Sequence, residues 1–460
     1  MQALSSMLFS RCAPLAALCI CISFPALAQE TEAPATETPP GAEGDVEIDI
    51  NREGVAKQRL ALPAATRPAG LNAEALTASR EIEDTLRNDL ELTGIFVIQD
   101  AEDLRTLRLT GEREADFAQY QSVGNQLILL TEFKDDGGNL ILEGRLYDLQ
   151  GRALILGKRY SGTYDLARRF AHMLSDEIAF MFTGRKGIAL TGIAFTSNRD
   201  GNGTKELYLM DYDGYGQRAI SAHRTLSFSP AWAPNGAGIS YVSYFEGTPS
   251  IYWAELATGQ KRSVVSDDRL SMSPSFSPDG RSLVFSRSVN GNNEIFSVRR
   301  DGSQLKRLTN SRGIDTNPSW SPNGQSIAFT SSRSGSPQIY VMDADGSNPR
   351  RVTFGGKYND GASWSPDGSK LVFARRTDNG RRFDIAVADL VTLEETILTG
   401  GPGSHEAPSY SPNGRFIAFE STRAGGTVKQ VWVMTAEGRD LRQLTTTGEN
   451  YGPSWSPYLE

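Results

Sequence analysis

Pro230-Ala231-Trp232-Ala233-Pro234-Asn235-Gly236 is one of six versions of a single phrase, and that phrase decides the fold. It returns at Pro274 to Gly280, Pro318 to Gly324, Ala362 to Gly368 and Pro408 to Gly414, and closes shortened as Pro453-Ser454-Trp455-Ser456-Pro457. The second proline stands at 234, 278, 322, 366, 412 and 457, a period of about 44 residues. A repeat of that length carrying several short strands predicts the blades of a β-propeller.

Each part of the repeat has a physical reading. Ser321-Pro322-Asn323-Gly324 suits a type I turn, with Ser first, Pro second with φ already set, and Gly fourth. The aromatic ahead of it (Trp232, Phe276, Trp320, Trp364, Tyr410, Trp455) is large enough to wedge between neighbouring blades. After the turn comes an aliphatic-small-aromatic strand such as Ile327-Ala328-Phe329 or Leu371-Val372-Phe373. Apolar residues on both faces fit a sheet sandwiched between two others. A third strand follows, for example Ile339 to Met342, and turns at Asp-Gly pairs such as Asp345-Gly346. The fourth is Arg-rich, as in Arg350-Arg351-Val352, which keeps an outer edge charged.

The first repeat, from about Lys186, lacks the phrase, and the last consists of it alone. The C-terminal strand is therefore expected to complete the N-terminal blade and close the circle. Five blades with a stray tail is the alternative.

Ahead of the repeats the composition changes. Residues 1–28 hold one basic residue, Arg11, then an apolar run ending Ala26-Leu27-Ala28, the pattern of a secretory signal peptide. All three cysteines, Cys12, Cys19 and Cys21, lie in it, so the mature chain is expected to have no disulfide or thiol chemistry. A lipoprotein reading of Cys21 is opposed by Ile20, where a small residue is wanted. Residues 29–45 read as a disordered acidic linker of Thr, Pro, Glu and Ala. Residues 46–184 predict an α+β domain, and 185–460 the six-bladed ring. In the former, Val46, Ile48 and Ile50 alternate as in a strand, and a helix spans about Asn72 to Leu92 with Ile82, Leu86 and Leu90 on one face. Strands are expected around Leu127 to Leu129, Leu140 to Tyr147 and Ala153 to Lys158, then a helix capped by Asp165 and ended by Gly184.

Signs of catalysis are sparse. Three histidines, His172, His223 and His405, are too few and scattered for a His-rich metal site, and no nucleophile elbow, zinc-protease motif or P-loop appears. Asp200-Gly201-Asn202-Gly203-Thr204 resembles the start of a calcium loop but has Lys205 at the sixth position and Asp211 at the twelfth, so a hairpin loop is expected. His172 is expected to be a surface or packing residue, and His405 an exposed loop residue. The net charge is −8, and without Arg11 the mature chain carries 46 basic against 55 acidic residues. That balance argues against a nucleic-acid partner. No mature segment is apolar for long enough to span a membrane.

Together the signal peptide, the α+β domain, the six P-x-W-S-P-D/N-G repeats and the ending Pro453-Ser454-Trp455-Ser456-Pro457-Tyr458-Leu459 resemble the TolB family, propeller components of the Tol-Pal system of Gram-negative bacteria. The resemblance runs from about Asp45 to the end. It implies a non-catalytic periplasmic adaptor without a cofactor. It also implies binding of the lipoprotein Pal at a mouth of the propeller channel and of TolA through an N-terminal segment. Such an adaptor supports outer-membrane invagination during division and envelope integrity. The TolA segment would correspond to Val46, Ile48 and Ile50, here preceded by the extra linker; a permanently paired structural strand is the other reading.

The loops that lead into the innermost strands must rim one mouth. The family's Pal-contacting positions resemble Leu270, Ser273 and Thr316 by their offsets from Pro274 and Pro318, and Asn317, Asp360, His405 and Glu406 complete the expected rim. Apolar Leu226, Phe228, Met272 and Tyr451 accompany them, which suits a protein interface. Two other classes remain open. One is an exported propeller lyase or hydrolase, needing ligands gathered at a channel mouth; the other is a cell-wall glycan-binding module.

Overall fold

The backbone of Gln58–Ala61 forms the parallel centre of a five-stranded sheet, β1, from which the N-terminal domain is built. The structure is a computed structural model and describes residues 57–459 apart from 100, 202, 378 and 379. The expected signal peptide, linker and strand at Val46 to Ile50 lie outside the described residues. Among the described residues no helix is long and apolar enough to cross a membrane.

Helix α1, Ala73–Leu92, begins where the Asn72 side chain accepts a 2.8 Å hydrogen bond from the Ala75 N–H. Its Ile82, Leu86 and Leu90, four residues apart, are wholly buried. Strand β2 is Phe96–Ile98, and the short helices α2, Ala101–Arg105, and α3, Arg113–Ser122, lead into β3, Leu127–Asp136. Strands β4, Asn139–Asp148, and β5, Ala153–Gly162, complete the sheet order β2-β1-β3-β4-β5. The β3–β4 hairpin turns on Gly137 and Gly138, both at positive φ, as a two-residue loop between Asp136 and Asn139 requires.

Alternation on β3 sends Leu127, Leu129 and Phe133 toward α1 and α4, Ala167–Thr183, where they meet Leu174 and Ile178. Ile128 on the opposite face packs with Phe117 and Tyr120 of α3. Gly184, at φ +63, ends α4 as expected. Asp165, however, does not cap it. A 3₁₀ turn over Tyr164–Leu166 intervenes, and Leu166 stands at the cap without a side-chain bond.

Six four-stranded antiparallel sheets follow. Ile193, Phe285, Phe329, Phe373 and Phe419 on the second strands are wholly buried, as sheets covered on both faces demand. Each complete turn closes as read from the sequence: the Gly324 N–H donates to the Ser321 carbonyl at 3.0 Å, and Gly324 sits at φ +70. The turn glycines also abut the preceding blade. A Cβ on Gly414 would stand 3.3 Å from Pro366, and one on Gly280 3.6 Å from Pro234.

The last strand closes the ring. Asn450–Trp455 pairs antiparallel with Gly192–Ser197, Asn450 opposite Ser197 and Trp455 opposite Ile193. Trp455 is 6% exposed, its indole N–H donates to Thr191 Oγ1 at 2.9 Å and its backbone N–H to Ser409 Oγ at 3.0 Å. Gly192 N–H donates to Ser456 Oγ at 2.9 Å. The five-blade alternative is thereby excluded.

The two domains meet through a buried polar seam. His172 is 5% exposed, with its Nδ1 2.8 Å from Asp89 Oδ2. The same Asp89 carboxylate accepts from Ser175 and, across the seam, from the Tyr212 hydroxyl, both at 2.8 Å. His172 Nε2 lies 4.0 Å from Asp211. Arg168 reaches Asp211 at 3.2 Å and Asp213 at 2.7 Å, and its guanidinium stacks 3.9 Å over Tyr215. Asp176 accepts from the backbone N–H groups of Ala189 and Leu190.

Burial opposes charge on His172, but the Asp89 carboxylate outweighs it and raises the imidazole above its ordinary value. Burial pushes the Asp176 carboxyl up to about 6. Both raised values mean that the folded state binds extra protons. The charged imidazole contributes fully below its ordinary pKa of about 6.5, and that contribution is lost as pH climbs through the folded value. The Asp176 penalty likewise grows as pH rises through its interval.

Two outcomes follow from these contacts. Removing residues 451–460 should leave an unpaired inner edge and empty the Trp455 site. Loss of that aromatic alone should lower stability by roughly 3–5 kcal/mol; a truncated protein melting with the full chain would refute the closure. Thermal melts should show Tm rising from about pH 8 to about pH 6, and His172→Gln, uncharged throughout, should flatten that slope. An unchanged slope in the variant would show that His172 does not contribute to it.

Candidate functional site

The six innermost strands start at one end of the channel, and their first residues are all polar: Ser227, Ser271, Asp315, Asn359, His405 and Asn450. All are essentially buried, the largest exposure being 1%. Two positions on, the chain turns left-handed in every blade, at Ser229, Ser273, Asn317 and Ala407 (φ +54, +54, +48 and +51) and at Gly361 and Gly452 (+65 and +50). The pairing with the second strand slips at that point, as between Met272 and Ser275, so each inner strand carries a bulge. Holding a non-glycine residue there costs about 1–3 kcal/mol. Bulges of this kind re-aim side chains, and here all six line one cavity of about 750 Å³.

Polar groups round this mouth are bonded to one another. Ser273 Oγ donates to Asn317 Oδ1 at 2.6 Å, and Asn317 Nδ2 donates to Asp360 Oδ1 at 2.7 Å. The same carboxylate oxygen accepts from Thr330 Oγ1 at 2.7 Å. On the other side Lys429 Nζ lies 3.3 Å from Glu406 and 2.6 Å from Glu420. Glu420 also accepts from the Gly452 N–H at 2.7 Å. Burial works against the Lys429 ammonium, but the two carboxylates outweigh it and hold its pKa above the ordinary value. Such an arc of carboxylates, amides and hydroxyls offers hydrogen bonds to a polar segment entering the mouth, and the Lys429 cation is already neutralised.

Four of the residues expected at the rim therefore share the cavity wall: Ser273, Asn317, Asp360 and Glu406. Thr316 is half-buried and pairs with Thr330 in the sheet. Leu270, also half-buried, stands one residue before its inner strand, where its carbonyl accepts from the Ser288 N–H. His405 is the correction. It is wholly buried, with Nδ1 2.9 Å from Ser421 Oγ and its ring edge-on to Phe419, so it packs the blade instead of standing exposed on the rim. Burial holds its pKa below the ordinary value. Val46, Ile48 and Ile50 fall outside the described residues.

Sequence reading named Leu226, Phe228, Met272 and Tyr451 at this end and missed three further apolar residues. Ile314 and Phe354 stand in the segments leading to inner strands, and Phe245 in the loop between second and third strands; they are 53%, 58% and 58% exposed. Phe245 packs 4.6 Å from the His223 ring, whose Nε2 is 2.7 Å from the Tyr241 hydroxyl. The signal was present in the repeat itself: turn-rich polar segments that each hold one large apolar residue. Among the described residues, no three His, Cys, Asp or Glu side chains gather as a metal site would need.

Known proteins share both halves of this architecture. Residues 181–459 match the TolB beta propeller domain and residues 46–155 the TolB amino-terminal domain. The crystal structure of TolB from Acinetobacter baumannii superposes with a TM-score of 0.76 at 29% identity, covering 88% of this chain and 97% of that one. Tol-Pal system protein TolB of Syntrophotalea carbinolica is 36% identical over 195 residues, 41% of this chain and 44% of the relative. A Protein TolB homolog of Chlorobium luteolum is 32% identical over 238 residues, 52% of this chain and 51% of the relative. The chain thus spans about half the length of the curated relatives it matches. Since the two matched domains lie in the expected order and the propeller match alone takes in more than half of the sequence, the chain belongs to the TolB family.

Proposed function

We propose that this protein is a non-catalytic periplasmic adaptor of a Tol-Pal system. It binds the lipoprotein Pal at the channel mouth and TolA through the segment holding Val46, Ile48 and Ile50. The observation that supports this most is the mouth itself: a wide polar cavity to which every blade contributes a left-handed bulge residue, with exposed Phe245, Ile314 and Phe354 at the same end. A polar centre with scattered large apolar residues fits a protein partner of standard interface size. Ser273, Thr316, Asn317, Asp360 and Glu406, with Leu270 beside them, form the contact set; His405 is excluded by its burial. Bridging an outer-membrane lipoprotein to an energised inner-membrane protein would support invagination during division and envelope integrity.

Titration calorimetry against the matching Pal tests the mouth. Replacing Ser273 and Thr316 together by Arg puts unpaired charge into the complex and should weaken binding at least about tenfold. Unchanged affinity would place the Pal site elsewhere. Deleting residues 29–50 should abolish capture of TolA while sparing Pal, because a segment with alternating apolar residues suits binding by strand addition. Equal TolA capture by the deletion variant would rule the segment out.

A further inference from the structure

At the other end of the inner strands, four arginines surround one groove of about 590 Å³: Arg262, Arg281, Arg299 and Arg300. Two turns, at Pro234 and Pro278, and the hairpin ending at Asp301 form its walls. The chain as a whole is acidic, at −8, so a concentration of cations here runs against the general surface.

The way these arginines are held leaves their charge largely uncompensated. Several guanidinium groups elsewhere are met by carboxylates: Arg307 by Glu294 at 2.9 Å, Arg333 by Asp315 at 2.8 Å, Arg168 by Asp213 at 2.7 Å. In the groove the restraining groups are neutral. Arg262 donates to the Arg300 carbonyl at 2.9 Å, Arg299 to the Gln304 amide oxygen at 2.9 Å, and Arg300 lies 5.1 Å from the Trp253 ring centroid. Arg281 has Asp279 at 4.0 Å, with the arginine side chain 85% exposed, and Arg299 feels Asp301 through space without an ion pair. An exposed pair at that distance contributes little.

The two acids of the lining are occupied by their own turns. Asp279 accepts from Ser277 Oγ and the Arg281 N–H, and Asp301 from the Ser303 hydroxyl and N–H. Four cations against two such acids leave the groove positive. Side chains fixed by neutral partners keep both their direction and their charge available.

We propose that this groove binds a phosphate-bearing ligand. A guanidinium presents a planar fork that matches phosphate oxygens two at a time, and several forks around one concave space suit more than one phosphate group. The phosphates can belong to a lipid headgroup or to a soluble oligophosphate, and the two sources give different results below.

Titration of the full chain with sodium tripolyphosphate in about 50 mM salt should show binding that fades toward about 500 mM. Arg281→Glu with Arg299→Glu should weaken it at least about tenfold, since two attractive charges become repulsive. Arg218→Glu with Arg350→Glu, a charge-matched pair of exposed residues on other blades, should change it less than about twofold. Matching Tm values would confirm that all variants are folded. Flotation with phosphatidylglycerol vesicles then separates the sources. Capture of the wild type but not of the groove variant identifies a headgroup ligand, and no flotation alongside tripolyphosphate binding identifies a soluble one. No tripolyphosphate binding up to about 1 mM, or equal loss in the groove and control variants, overturns the proposal.

Discussion

One hydrogen bond, repeated at three blade junctions, helps set the relation of a blade to the next. The backbone N–H of the inner-strand aromatic donates to a serine hydroxyl one blade back: Trp320 to Ser275, Tyr410 to Ser363 and Trp455 to Ser409. At two other junctions an indole N–H makes the link, from Trp232 to the Ser454 carbonyl and from Trp364 to the Ser319 carbonyl. These bonds give direction to blade contacts whose larger part is apolar. Dispersion and area burial have no direction, so a stack of sheets held by them alone could slide. Directional bonds at the inner radius, backed by proline lying on the next turn's glycine, fix the spacing from which the channel takes its width.

That fixed spacing also sustains the bulges. A left-handed Ala407 or Ser229 is unfavourable by itself and persists only because the surrounding sheet determines the chain on both sides. The bulge residues are thus placed by the ring and not by their own preferences. The mouth inherits that rigidity, while its side chains, bonded in the arc from Ser273 to Asp360, are ordered before any partner arrives. Preordering of this kind lowers the entropy lost on binding.

The architecture was legible because its signals are local and repeated. Ser-Pro-Asn-Gly specifies a turn by the chemistry of four residues, and the aromatic beside it declares a buried contact. The N-terminal sheet was less legible: β1 and β2 are four and three residues long, too short to show alternation, and parallel pairing leaves no hairpin in the sequence. Asp165 looked like a cap because capping is a residue-type signal, whereas the 3₁₀ turn that displaces it is set by tertiary packing. At the mouth, Ser273, Asn317, Asp360 and Glu406 could be placed by loop geometry. The burial of His405 could not, because one histidine reads as exposed. Only beside Ser227, Ser271, Asp315, Asn359 and Asn450 does it become the sixth member of a buried polar position. The groove arginines carry no pattern along the chain; they come from two strands and two turns brought together by the fold.

Closure by the final strand has a temporal consequence. Asn198 and Glu449, bonded in the finished ring, stand 251 residues apart. A chain emerging from its N-terminus presents the second strand of the closing blade early, yet the partner strand is made last. Until then the edge at Gly192–Ser197 has an unpaired row of backbone groups and the apolar bed of Trp455 is open. Contacts of such long sequence separation slow folding and lengthen the exposure of aggregation-prone edges. The ring is therefore finished only when the last strand of the chain has been made, and the edge it covers is exposed until then.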